Sequence, residues 1–81
     1  MKRVSGKSDF EGALPRLGDA IRALRLERGI SQEALADEAM IDRSHLGKIE
    51  RGERNVTLLN VLKIARALNL SASDLLRQAE L

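Results

Sequence analysis

Eighty-one residues, 43% hydrophobic and 32% charged, describe one small domain near the size at which a single core suffices without disulfides or metal. No cysteine is present, which excludes a disulfide framework and a thiolate zinc site and makes a reducing, cytoplasmic setting the expectation. The formal net charge of +2 is too small to establish a polyanion partner, so the placement of the cations decides that question.

Residues 1–12 mix Lys, Arg, Ser, Gly and Asp around one Phe10. That composition buries too little to order itself, so a mobile tail is expected ahead of a domain over 13–81. The basic start has no apolar run behind it, and neither a signal peptide nor a membrane span is expected. A basic arm reaching for phosphates or the minor groove is the functional reading of this stretch; a solvating tail outweighs it.

Pro15 suits the first turn of a helix, and Leu14, Leu17, Ile21 and Leu24 follow the 3.6-residue period until Gly29. Arg22, Arg25 and Arg28 at i, i+3 spacing fit either a DNA-facing stripe or structural ion pairs. Leu26 falls off the apolar side and is expected to be exposed. Ser31 then suits an N-cap, with Gln32 and Glu33 in the favoured first turn of a second helix. Leu35, Ala36 and Ala39 gather on one narrow, buried side while Asp37 and Glu38 point away as solvated acids. Met40 and Ile41 break the pattern.

Asp42 can cap a third helix, in which Leu46 and Ile49 face inward and Arg43, Ser44, Gly47 and Lys48 face solvent. Gly52 fits its C-terminal end, and Glu53-Arg54-Asn55 reads as a polar loop. From Arg43 to Asn55 the cations Arg43, Lys48, Arg51 and Arg54 outnumber the acids Glu50 and Glu53, a small but real excess.

Thr57 can cap a fourth helix whose apolar residues Leu58, Leu59, Val61, Leu62, Ile64, Ala65 and Leu68 cover more than half its circumference. One side packs inward; the surplus, chiefly Leu59 with Leu62, requires other cover, for which a second copy is the expectation. Asn69 ends this helix. Ser71-Ala72-Ser73-Asp74 opens a fifth, with Leu75, Leu76 and Ala79 on its apolar side and a fraying end at Glu80-Leu81. Without alternating β-branched runs, the chain reads as all-α, five short helices.

Asp42, Ser44 and His45 suggest a hydrolytic triad, which helical geometry excludes. Neighbours on a helix diverge by about 100°, and Asp42 to His45 is capping spacing. One His and no Cys make no metal site. Neither catalysis, a cofactor nor a small-molecule ligand is expected.

SQEALA, AMI and DRSHLGKIERGER together resemble the Cro and phage-repressor, or XRE, type of helix-turn-helix regulator. The resemblance runs from about Leu17 to Leu76, RNVTLLNVLKIARALNL fits the family's fourth helix, and IERGERNVTL is especially similar to controller proteins of restriction-modification systems. The family usually has Gly where Met40 stands here; a positive φ there would carry a local cost.

The resemblance implies a compact five-helix, lambda-repressor-like domain with its helix-turn-helix at helices two and three. The third helix enters the major groove and the second lies across the backbone. Arg43, whose fork matches guanine O6 and N7, is the expected base reader, with Ser44 and Lys48 beside it. Gln32 with the second helix's N-terminus, His45, Arg51, Arg54 and Asn55 are expected at phosphates. Arg25 is implied to pair with Glu50. One helix in one groove buries too little for tight specific binding, so a homodimer on a palindromic double-stranded operator is expected. Its half-sites would lie ~34 Å apart, and its interface would use Leu59, Leu70, Leu75 and Leu76. A rival of another class is an antitoxin or adaptor that keeps this fold and takes another protein as main partner.

Overall fold

Short polar side chains set where most of the helices begin. In the computed structural model, which describes Asp9 and residues 11–81, the order is α1 (Ala13–Glu27), α2 (Gln32–Ala39), α3 (Arg43–Glu50), α4 (Leu58–Ala67) and α5 (Ala72–Gln78). Ser31 Oγ accepts from the Ala34 amide at 3.0 Å, Thr57 Oγ1 from Asn60 at 3.2 Å and Ser71 Oγ from Asp74 at 3.0 Å. Each satisfies one backbone donor that its helix cannot. At α1 the cap comes from further upstream: Asp9 accepts from the amides of Ala13 at 2.9 Å and Leu14 at 2.6 Å. The tail expected over 1–12 lies outside the described residues apart from Asp9, Glu11 and Gly12.

The C-terminal ends share one device. A residue with left-handed backbone, Gly29, Met40, Gly52, Asn69 or Glu80, follows each helix. At α2, for example, the Met40 amide donates to Asp37 O at 3.1 Å and the Ile41 amide to Ala36 O at 2.9 Å. Paired bonds of this kind satisfy carbonyls left open at a helix end and turn the chain away. Met40, at φ 56°, therefore holds a conformation that costs an L-residue roughly 1 kcal/mol or more. Glu80-Leu81, expected to fray, closes in the same way, and the Arg16 guanidinium donates to the Glu80 carbonyl.

Ile21, Leu35, Leu46, Ile64, Leu68 and Leu75 are fully buried, so each helix or its end supplies at least one side chain to a common core. Each such burial contributes about 1.5–3 kcal/mol. Helix α1 packs on α3, α2 packs on both α3 and α4, and α5 closes against α1 and α4. Leu75 corrects an expectation: placed at a dimer interface by the sequence, it lies wholly inside the core, because α5 turns that side onto α1 and α4. Leu70 and Leu76 sit half-buried at the core's edge. Among the described residues, no helix is long and apolar enough to cross a membrane.

Two contacts seat α3 on α1. Gly18 leaves no gap: a methyl group there would stand 2.5 Å from the Ile49 carbonyl oxygen and closer still to that of Glu50. Gly52 repeats the approach one turn away, where a Cβ would lie 2.7 Å from Pro15 Cα. Beside them, Arg25 Nε donates to Glu50 Oε2 at 2.8 Å and Nη2 to Oε1 at 3.1 Å, both side chains being nearly excluded from solvent. Arg25 Nη1 also donates to Ile30 O at 3.0 Å, and Gln32 Nε2 to Glu50 Oε1 at 3.1 Å. One carboxylate thus ties α1, α2 and α3 together.

Gly18→Ala is expected to lower stability by about 3 kcal/mol, since the clash is with backbone rather than a movable side chain; a urea midpoint within error of wild type would refute the close approach. Arg25→Ala is expected to cost about 3–5 kcal/mol by stranding Glu50 as a buried charge. Arg77→Ala, which removes the exposed partner of Asp74, should leave the midpoint nearly unchanged; equal losses in the two variants would contradict the burial argument.

Candidate nucleic-acid interface

Helix α3 is anchored by its inner side and offers the other. Leu46, Ile49 and Glu50 point into the domain, whereas Ser44, Lys48 and Arg51 recur at i, i+4 and i+7 along the outer side, and Arg43 stands at the tip. The three-residue turn Met40-Ile41-Asp42 sets this projection, with Met40 in the left-handed region and Asp42 already extended.

Asp42 supplies the cap. Its carboxylate accepts from the amides of Ser44 at 3.1 Å and His45 at 3.3 Å, and also from the Ser44 hydroxyl. The Ser44 hydroxyl, then the His45 amide, hold the Asp42 carboxyl below its ordinary value. Ser44 lies on the outer side as expected, but its donor is engaged locally.

Arg43 is exposed and has no hydrogen-bond or ion-pair partner among the described residues. Lys48 is half-buried. Arg54 and Asn55 are exposed in the loop between α3 and α4. Arg51, also exposed, forks onto Glu53, with Nε 2.8 Å from Oε2 and Nη2 3.4 Å from Oε1. The bond from Arg51, followed by the charges of Arg51, Lys48 and Arg54, holds the Glu53 carboxyl below its ordinary value.

Three expected positions differ in the structure. Gln32, assigned to a phosphate, turns its amide donor inward onto Glu50, which makes it a brace between α2 and α3. His45, also assigned to a phosphate, is half-buried with Nε2 3.5 Å from Asn60 Nδ2, facing α4. Gly47, read as solvent-facing, is buried: a Cβ there would meet Arg51 Nη1 at 3.2 Å and Gln32 Oε1 at 3.4 Å. The Arg51 side chain at the end of α3 and Gln32 of α2 fold over it, which the periodicity of α3 could not register.

A second exposed surface lies on α4. Leu58 and Leu59 are 70% and 68% exposed, and Leu62 and Met40 are exposed beside them. With Glu38, Lys63 and Arg66, the side chains of Met40, Leu59 and Leu62 line an open groove between α2 and α4. Leu58 was not singled out from the sequence; its place immediately after the Thr57 cap was the available signal. Among the described residues, no group of three His, Asp or Glu side chains could hold a metal ion.

A helix-turn-helix family model matches residues 21–75. Control protein C.BamHI of Bacillus amyloliquefaciens is 45% identical over 60 residues, covering 73% of this chain and 74% of that protein. Control protein C.SmaI of Serratia marcescens is 42% identical over 60 residues, covering 74% of this chain and 71% of that protein. Among solved structures, the restriction-modification controller protein C.AhdI from Aeromonas hydrophila superposes with a TM-score of 0.75 at 47% identity, covering 76% of this chain and 94% of that one.

Proposed function

The chain belongs to the helix-turn-helix family of Cro and phage-repressor type, among the DNA-binding transcriptional regulators most like restriction-modification controllers, and from that premise we propose that it binds a palindromic double-stranded operator as a homodimer with α3 in the major groove. The observation that carries this reading is the outer side of α3, an exposed surface with Arg43, unpartnered among the described residues, at its tip and Lys48 one turn along. The major groove of B-DNA admits one α-helix and presents distinguishable donor and acceptor patterns on its base edges. Arg43 reads a guanine through its two-pronged fork. Ser44 retains its acceptor lone pairs, and Lys48 supplies a mobile donor and charge beside it.

Sequence-independent affinity comes from the flanks. The N-terminus of α2 directs backbone amides and the positive end of its dipole at one phosphate, although the Gln32 side chain is held by Glu50. Arg51, Arg54 and Asn55 meet the neighbouring phosphates. His45 serves this surface indirectly, by linking α3 to the start of α4 through Asn60.

The exposed leucines of α4 support the dimer. Leu58, Leu59 and Leu62 form an apolar surface that another copy can cover, and the half-buried Leu70 and Leu76 are the further candidates for its interface. The likeness to the controllers named above supports a restriction-modification gene pair as what the protein regulates; the genes adjoining its own test that assignment directly.

Arg43→Ala is expected to cost about 1–3 kcal/mol on the operator and to relax preference at one base position, measured by selection from a random duplex pool. Arg54→Ala, in the same assay, should weaken all sequences alike and reduce the salt dependence. Retained preference in the Arg43 variant would remove it as the reader. In sedimentation at micromolar concentration, wild type is expected to be dimeric and Leu59→Asp monomeric; a monomeric wild type, with and without DNA, would sink the dimer.

A further inference from the structure

The segment from Arg43 to Asn55 carries two acids, and they have opposite surroundings. Glu50 is buried under Arg25 and Gln32, so its charge is neutralised inside the domain. Glu53 is exposed on the cationic surface itself, its two oxygens facing Nε and Nη2 of Arg51 at 2.8 and 3.4 Å, with Lys48 and Arg54 also acting on its charge. A carboxylate presenting two oxygens and one negative charge to a guanidinium imitates a phosphodiester at the same fork.

We propose that Glu53 is an intrinsic phosphate mimic, occupying Arg51 in the free protein so that DNA binding is an exchange of carboxylate for backbone phosphate. The proposal rests on the DNA reading of this surface and goes beyond it by assigning Glu53 a role opposed to affinity. Both side chains of the pair are more than half exposed, and such a pair is weak enough for a polyanion to displace. Displacement releases Glu53 into the field of the DNA backbone, where it is repelled and must gather a cation. The Arg51 contact then liberates no net counterion. Because phosphates carry no sequence, Glu53 lowers operator and random-duplex affinity by the same factor, keeping the protein from being held by arbitrary DNA.

The test measures dissociation constants for a selected operator and a scrambled duplex across a salt series. It uses wild type, Glu53→Gln, Arg51→Ala, the double variant and Asp37→Asn, the last removing an exposed acid of α2. Glu53→Gln is expected to tighten both duplexes by roughly three- to ten-fold at low salt, with a salt slope steeper by about 0.9 in log–log units. In the Arg51→Ala background the gain should largely vanish, and Asp37→Asn should give less than Glu53→Gln. Unchanged or weakened binding by Glu53→Gln, an equal gain without Arg51, or an equal gain from Asp37→Asn would overturn the exchange while leaving the DNA reading standing. Absence of duplex binding by wild type would overturn the DNA reading, and the exchange with it.

Discussion

Arg25 and Glu50 place two opposite charges where water hardly reaches, and the orientation of α3 depends on how completely those charges are satisfied. Glu50 accepts two bonds from Arg25 and one from Gln32, while Arg25 gives its third to the Ile30 carbonyl. No buried side-chain polar atom among the described residues lacks a partner. Desolvating such a pair costs several kcal/mol per ion, and its mutual attraction roughly offsets that, so the net contribution to stability is small. Its effect is directional. A planar guanidinium on a carboxylate admits few arrangements, whereas leucines on leucines would tolerate sliding. The pair therefore sets the register of α3 on α1, and Gly18 permits α1 to come close enough for the pair to form.

That inner arrangement explains the outer one. Once Glu50 is bound inward, Leu46 and Ile49 are carried into the core on the same side, and Ser44, Lys48 and Arg51 must point out. The turn before α3 contributes the remaining constraint. Met40 takes a left-handed conformation that Gly would hold at lower cost, and the residue remains 77% exposed, so packing does little to compensate for the strain. The exposed methionine nevertheless adjoins Leu59 and Leu62, extending the apolar surface of α4 in a way that glycine could not.

Much of this was legible in order along the chain. Ser31, Asp42, Thr57 and Ser71 announce helix starts because a cap acts within three residues, and Gly29, Gly52 and Asn69 announce ends for the same reason of proximity. What required other information is nonlocal. Arg25 and Glu50 lie 25 residues apart, and their pairing came from resemblance to a family rather than from spacing. Gly18 carries no local signal of its role, since nothing near it in sequence reports that α3 ends against it. Gly47 and Gln32 differ from expectation for a related reason: the Gln32 side chain folds from α2 onto α3, where it bonds Glu50 and, with the Arg51 guanidinium, covers Gly47. Leu75 was misplaced because an apolar residue on a short terminal helix can face a core or a partner with the same periodicity.

Net charge, finally, is a poor guide to this surface, and pairing shows why. The small formal excess of +2 is an average over groups with different freedom. Glu50 draws its partner Arg25 from α1, outside the segment from Arg43 to Asn55, and so removes an acid from that segment without taking one of its cations. Glu53, among the described residues, pairs directly with Arg51. Arg43 at the tip of α3, next to the Asp42 cap, and Arg54 in the loop beyond have no partner among the described residues, so their charges stay free to act on solvent. Asp37 and Glu38 stand on the exposed side of α2. Steering by such a field depends on where the charges are held, and that is decided by the same buried carboxylate that seats the helix.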